Sequence, residues 1–569
     1  MLLEIYTLVQ KINRILKAPT FVGAFFGKYR VGGLSKAVTC ATILTMRPFE
    51  RGNDHMQTLW NRLREKLQAS YIFAFCGALF FGFLAHFYKL TNWLPNWDSL
   101  VFRHDPQQMT SLGRWFLRVA AGISTDYDLP FLNGLLLLCY IGIAAAVICA
   151  LFEIKSRATA TLCGALAATV PIVTSTLCYN YVADAYALAF LLSCLAAYLL
   201  TRSKKRTAVC GVLLLTLAVG IYQAYLTVTI ALLTVYLLCG LLTARDDVKA
   251  SLKKAGKCLL CGVCAMALYY AIQAAAVALL HVTVSDYQGI AFDIKNVQPL
   301  LAAKRCVLLF SRHFVNFSNG FNLYSALHVG MFAVLLVGYG VVLFTRVRTV
   351  GCRLLALLYA ASLPFGCAAL YFVNVTVDYH NLMRMSYFVL YLLLLFLYDR
   401  FRPQKVRAAT VQGAAVLVLC AGLLCNFVGI ANVSYHKLQI AFEKSFGIAV
   451  RIADRIETAD GFENATHILT VGQLADSNPY AVDLPPEITG ITDGVIIRHD
   501  DETVGQSVLA DTLRDYGDID LIFVDGERAR ALEATDTVQS MPCWPAVGSV
   551  AVIDDTVVVK LSGDLHPAN

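Results

Sequence analysis

The stretch 130-PFLNGLLLLCYIGIAAAVICALFEIKSR-157 holds 23 consecutive residues without a charge, followed by Glu153, Lys155 and Arg157. As a helix, such a run covers the ~30 Å of hydrocarbon in a bilayer. Lysine and arginine crowded directly behind it mark a link kept on the cytoplasmic side. The pattern recurs along the chain. Apolar runs at about 70–90, 130–152, 158–178, 184–201, 208–224, 225–243, 257–281, 325–345, 353–373, 386–399 and 409–430 predict about eleven transmembrane helices.

Composition agrees: 58% of the 569 residues are apolar and 15% charged, against about 25% charged in a soluble protein. The ~10-residue alternating strands of a β-barrel are not visible. The chain therefore reads as a polytopic α-helical membrane protein. Links holding Lys155/Arg157, Arg202–Arg206, Arg245–Lys257, Arg346–Arg353 and Arg400–Arg407 are short and basic, and the alternate links at 91–129, 179–183, the Tyr222–Tyr225 corner, 282–324 and 374–385 are longer or less basic. That order places the N-terminus in the cytoplasm and the C-terminus outside. Residues 1–68 read as a basic cytoplasmic segment and not as a signal peptide, because Lys11, Arg14, Lys17, Lys28 and Arg30 interrupt it.

Charge divides the chain again at about residue 430. Residues 1–430 carry 38 Lys and Arg against 16 Asp and Glu, and residues 431–569 carry 9 against 23. The basic residues sit in the links of one membrane face, which is not the footprint of a nucleic-acid binder. Residues 69–430 form the predicted membrane domain, and residues 431–569 a small extracytoplasmic α/β domain. In the latter, apolar runs 467-HILTVG, 494-GVIIR, 520-DLIFVDG and 549-SVAVIDDTVVVKL alternate with helical stretches at 437–458 and around 503–515. Acceptor docking is one use for this domain. The 18 cysteines lie almost wholly in apolar runs, giving neither a disulfide framework nor a Cys/His metal spacing.

The densest polar chemistry lies in 96-NWDSLVFRHDPQQMTSLGRWFLRVAAG-122. Spacing predicts a helix with Met109, Leu112, Phe116, Val119, Ala120 and Ile123 on one face and Ser111, Arg114 and Arg118 on the other. Such a helix belongs in the membrane interface, its arginines facing lipid headgroups or gripping a substrate phosphate. Asp98 and Asp105 precede it, placed as candidate general bases. Other polar residues gather at the same face: Asp184 in 178-CYNYVADAY-186, Tyr222 and Gln223 in 220-GIYQAYL-226, and Asp378, His380 and Arg384 in 374-NVTVDYHNLMRM-385. Polar groups at span ends usually face a cavity or partner, so these links predict a substrate cleft. Asn-X-Ser/Thr triplets at Asn316, Asn374, Asn432 and Asn464 fit an outer location. No cofactor is expected. Asp126 and Asp128 form the one Asp-X-Asp pair near the first link and leave a divalent metal open.

The order NWDSL, TSLGRW, DLPFLNGLLLL, ADAYALAFLLS, GIYQAYL resembles the bacterial Gtr-type integral-membrane glucosyltransferases of the GT-C class, over about residues 70–430. The resemblance implies a polyprenyl-phosphate-linked hexose donor (undecaprenyl-phosphate glucose), a surface-glycan acceptor and inversion at the anomeric carbon. A flippase and a donor-synthesising glycosyltransferase are the implied partners. It also implies Asp98 as base and Arg114 as holder of the donor phosphate, with Arg384 in a lesser part and Tyr222 and Gln223 lining the sugar pocket. The family usually shows paired acids where this chain has Asp98-Ser99, so Asp98 and Asp105 both stand as the base. A carrier or flippase of lipid-linked sugars or polysaccharide is the alternative. It calls for repeat symmetry and broken helices at the bilayer midplane, whereas the polar residues here cluster at one face.

Overall fold

The computed structural model of the chain describes residues 68–101, 110–285, 298–316, 322–472, 474, 486, 488–491, 502–524 and 526–563. The basic segment expected before Gln68, the acid Asp105 and the strand expected at 494 lie outside them. Eight described helices are long and apolar enough to cross a bilayer, or nine if one bent pair counts as a single crossing. The membrane region runs α1 (Ala69–Thr91), three short helices α2 (Trp97–Val101), α3 (Leu117–Ala120) and α4 (Gly122–Tyr127), then α5 (Pro130–Leu151), α6 (Arg157–Thr169) and α7 (Pro171–Cys178). It continues with α8 (Asn180–Leu200), α9 (Lys205–Ile221), α10 (Tyr225–Leu242), α11 (Val248–Leu280) and α12 (Pro299–Phe314). The series closes with α13 (Leu323–Arg346), α14 (Val350–Cys367), α15 (Val389–Arg400) and α16 (Val406–Glu457).

Each expected span has a helix, but two are short. α9 has 17 residues and α15 has 12. Tyr222 takes an extended conformation and ends α9, while the 3-10 turns Asn381–Met383 and Met385–Phe388 occupy the chain before α15. α6 and α7 are the bent pair, turning by 40°. The bend falls at Val170, which is held extended because it precedes Pro171.

Small residues set the tightest crossing. A Cβ on Gly164 of α6 would lie 1.9 Å from the Ala74 carbonyl oxygen of α1, and one on Gly77 would lie 2.4 Å from the Thr161 oxygen. Only glycine lets two membrane helices approach so closely.

The amphipathic helix predicted over 109–123 does not form as one piece. Gly113 sits at φ +78°, residues 112–116 turn, and helix resumes only at Leu117. Backbone groups of the turn are claimed by neighbouring helices instead: the Phe116 amide donates to the Gly220 carbonyl at 2.8 Å. An amphipathic helix does occur in the link expected at 282–324. Leu300, Val307 and Leu308 of α12 are exposed, while Ala302, Cys306 and Phe314 are buried.

α16 runs unbroken for 52 residues across the divide expected at 430. Its far end joins an α/β sheet built from β1 (His467–Val471), α17 (Glu502–Gly517), β2 (Ile522–Phe523), α18 (Gly526–Glu533), α19 (Asp536–Ser540), β3 (Val550–Ile553) and β4 (Thr556–Lys560). The order is β2-β1-β4-β3, with β1 parallel to β2 and β4, and β3 antiparallel to β4. Ile452 and Ile456 of α16 are buried in the sheet's core with Ile468, Leu509, Leu513 and Val557.

Candidate active site

Asp98 lies in the first turn of α2, which Asn96 caps: its side-chain oxygen accepts from the Ser99 amide at 3.0 Å and the Ser99 hydroxyl at 2.8 Å. Ser99, beside Asp98, is therefore buried inside a cap. Burial pushes the Asp98 carboxyl up to about 7, with Arg114 pulling the other way. Asp98 also acts electrostatically on Tyr179 and Tyr181, at the junction of α7 and α8.

Arg114 sits in the turn that replaced the predicted helix. Its guanidinium lies 4.6 Å from the centre of the Tyr222 ring and donates to the Tyr186 hydroxyl at 3.4 Å. Tyr222 and Tyr186 stack at 4.8 Å and 9°. Arg114, Tyr186 and Tyr222 thus meet, and Asp98 lies within electrostatic reach of Arg114, Tyr179 and Tyr181.

The turn is strapped from two helices. Gln223 donates to the Leu112 carbonyl at 2.8 Å and to the Tyr269 hydroxyl at 3.1 Å, and Tyr269 donates to the Gly113 carbonyl at 2.8 Å. Gln273 donates to the Thr110 carbonyl at 2.9 Å. A Cβ on Gly220 would meet the Trp115 ring at 2.7 Å. Gln223 accordingly supports the Arg114 turn from behind. Tyr269 and Gln273 escaped the sequence reading, although polar side chains inside the apolar run of α11 were a signal.

A second network fixes the ends of α1, α5 and α8. Asp128, buried at φ +44°, accepts from Trp93 Nε1 at 2.8 Å and Asn180 Nδ2 at 2.6 Å. Asn133 donates to the Asn180 carbonyl at 3.0 Å, and Lys89 to the Leu94 carbonyl. Asp126, by contrast, is exposed, so the two members of the Asp-X-Asp pair face different surroundings. Among the described residues no group of three His, Cys, Asp or Glu could hold a metal ion.

Several expected site residues lie apart from Asp98. Arg118 is exposed rather than beside Arg114, because the break at Gly113 destroys the one-turn spacing. Asp184 is buried in the first turns of α8 and hydrogen-bonded to Ser124. Arg384 is half-buried and donates to the Tyr379 carbonyl at 3.1 Å, and His380 and Asp378 form an exposed pair at 3.6 Å. Asn381 in the same link ties this region to the centre, donating through Nδ2 to Ser175 of α7 at 3.0 Å.

Residues 87–399 match the family model for glucosyl transferase GtrII, more than half of the chain. The chain belongs to the GtrII glucosyl transferase family. No curated protein and no solved structure matches it. The chain is thus a glucosyltransferase of the membrane, and the matched range runs from the last turn of α1 to the end of α15. It contains Asp98, Arg114, Tyr186 and Tyr222, whereas α16 and the sheet lie beyond it. A glucosyltransferase must deprotonate an acceptor and stabilise a leaving group. A carboxyl that titrates near neutrality suits the first task, and a guanidinium held over an aromatic ring suits the second.

Proposed function

We propose that this glucosyltransferase moves glucose from a polyprenyl-phosphate donor, undecaprenyl-phosphate glucose, to a hydroxyl of a surface glycan, inverting the anomeric carbon. The observation that supports the reading is Asp98 within electrostatic reach of Arg114, whose guanidinium is held over the Tyr222 ring. Asp98 takes the acceptor proton as the hydroxyl oxygen attacks the anomeric carbon. The bond from that carbon to the phosphate oxygen breaks, and polyprenyl phosphate leaves with the electron pair. Arg114 stabilises the negative charge on the departing phosphate. Residues 69–430 form the GT-C-like catalytic domain, with residues 431–569 outside it. The N-terminus is cytoplasmic, eleven helices cross, and the site opens on the outer face. A flippase and a donor-synthesising glycosyltransferase would supply the donor from within.

The test uses membranes holding the full chain, polyprenyl-phosphate glucose and host glycan. Asp98→Asn is expected to abolish transfer at unchanged membrane insertion. Near-normal turnover would remove Asp98 as base and pass the role to Asp105. Donor moved across the bilayer with no glycosidic bond formed would support the carrier reading instead.

A further inference from the structure

The C-terminal unit touches the catalytic cluster at two points. Leu100, two residues from Asp98, packs against the sheet's core, where α17 abuts α2. Trp93, just before α2, meets Phe442 of α16 at 5.4 Å and Tyr516 of α17 at 6.4 Å. The second contact comes from Ile488–Ile491. Ile488 is buried in the core of the membrane helices, and Ile491 packs beside it. The Asn381 amide donates to Thr489 Oγ1 at 2.9 Å. Gly490, at φ +94°, lies so close that a Cβ there would stand 2.7 Å from the Tyr179 ring and 2.8 Å from Cys178 Cβ.

We propose that the C-terminal α/β unit is a wall of the catalytic cleft, holding α2 through Leu100, Tyr179 through Gly490 and the Asn381 link through Thr489, so that Asp98 takes its working position only when this unit is docked. Leu100, Thr489 and Gly490 are positioning residues: they act through Asp98 and Tyr179. Among the described residues, the charged or titratable groups that act on Asp98 are Arg114, Tyr179 and Tyr181, and the unit presses directly on Tyr179. The α/β unit lies outside the range that matches the family model, while Leu100 and Tyr179 lie within it.

The inference rests on Asp98 as base, and its test separates the two. Thr489→Val removes the oxygen that accepts from Asn381, Thr489→Ser keeps it, and Gly490→Ala drives a methyl into Tyr179. Each variant is measured in the full chain in membranes, beside Asp98→Asn. Small displacements of a catalytic group cost up to about a hundredfold in rate. Thr489→Val and Gly490→Ala are expected to lower kcat roughly tenfold or more, with donor KM within about twofold of wild type. The acid limb of the pH–rate profile should move to lower pH as Asp98 is re-exposed. Thr489→Ser should restore both. Wild-type kcat and acid limb in Thr489→Val and Gly490→Ala, with Asp98→Asn inactive, would overturn the wall and leave the base in place. Loss of kcat in both with Asp98→Asn still active would overturn the base and keep the wall. If Thr489→Val or Gly490→Ala fails to insert, Leu100→Ala reads the other contact by the same kcat and pH criteria.

Discussion

A carboxylate buried beside one guanidinium feels two opposed influences: burial favours the neutral acid and the cation favours the anion. At Asp98 burial dominates and leaves the group near 7. A base must be ionised to act, so kcat/KM is expected to fall as pH drops through about 7. Arg114→Gln removes the influence that lowers the Asp98 pKa, and the acid limb should therefore move to higher pH. The same variant should raise donor KM more than acceptor KM if, as proposed, the guanidinium holds the donor phosphate. Steady-state rates between about pH 5.5 and 9 check both. A limb that stays put in Arg114→Gln would break the electrostatic link between the two residues. The pairing of Arg114 with Tyr222 was legible in outline, because polar groups at span ends usually face a cavity or partner. The strap made by Gln223 was not: a glutamine between two tyrosines can line a pocket, strap a loop or do both. Its bond to the Leu112 carbonyl, at 2.8 Å, shows the strap.

Elements were legible where hydrophobic period and length agreed, and illegible where tertiary contacts outbid local pattern. The run at 109–123 has the spacing of an amphipathic helix, yet Gly113 and the bonds from Gln223, Tyr269 and Gln273 fold it into a turn. That turn carries Arg114 inward and leaves Arg118 outside. The glycine was the available warning, since a helix interior seldom keeps one without a packing reason. The crossing of α1 and α6 gives a sharper test of glycine's task. Gly164→Val should force the helices apart, because its Cβ would fall 1.9 Å from the Ala74 carbonyl oxygen. Overpacking of this kind costs about 1–3 kcal/mol or more. It should lower the unfolding temperature of the purified protein in detergent. Gly256→Ala in α11, whose Cβ would meet nothing within 4 Å, is the control expected to unfold like wild type. Equal behaviour of the two variants would show that the close crossing contributes nothing.

At the scale of the whole molecule, contacts between distant links constrain how many helices cross. Arg114, between α1 and α5, lies over Tyr222, between α9 and α10. The two share a face only if an even number of crossings separates them. α5, the α6–α7 pair, α8 and α9 make four, so the 17-residue α9 is needed as a crossing. The same reasoning applies at Asn381: it bonds Ser175 near Tyr179 on one side and Thr489 on the other, and the α-helices among the described residues between 381 and 489 are α15 and α16. On the proposed topology the short α15 then crosses too, with the 3-10 turns before it. Under the proposed topology of eleven crossings the chain's two ends lie on opposite faces, and the basic links at 155–157, 202–206, 245–257, 346–353 and 400–407 fall on the face away from Asp98. Positive charge stays in the cytoplasm. A reporter fused after residue 560 should therefore read outside, while Ser203→Cys should react with impermeant thiol reagents only after the membrane is opened. A reporter reading inside would mean that one short helix turns back. Tyr222 or Thr489 would then leave the face of Asp98, and the cluster that carries the catalytic reading would fall with it.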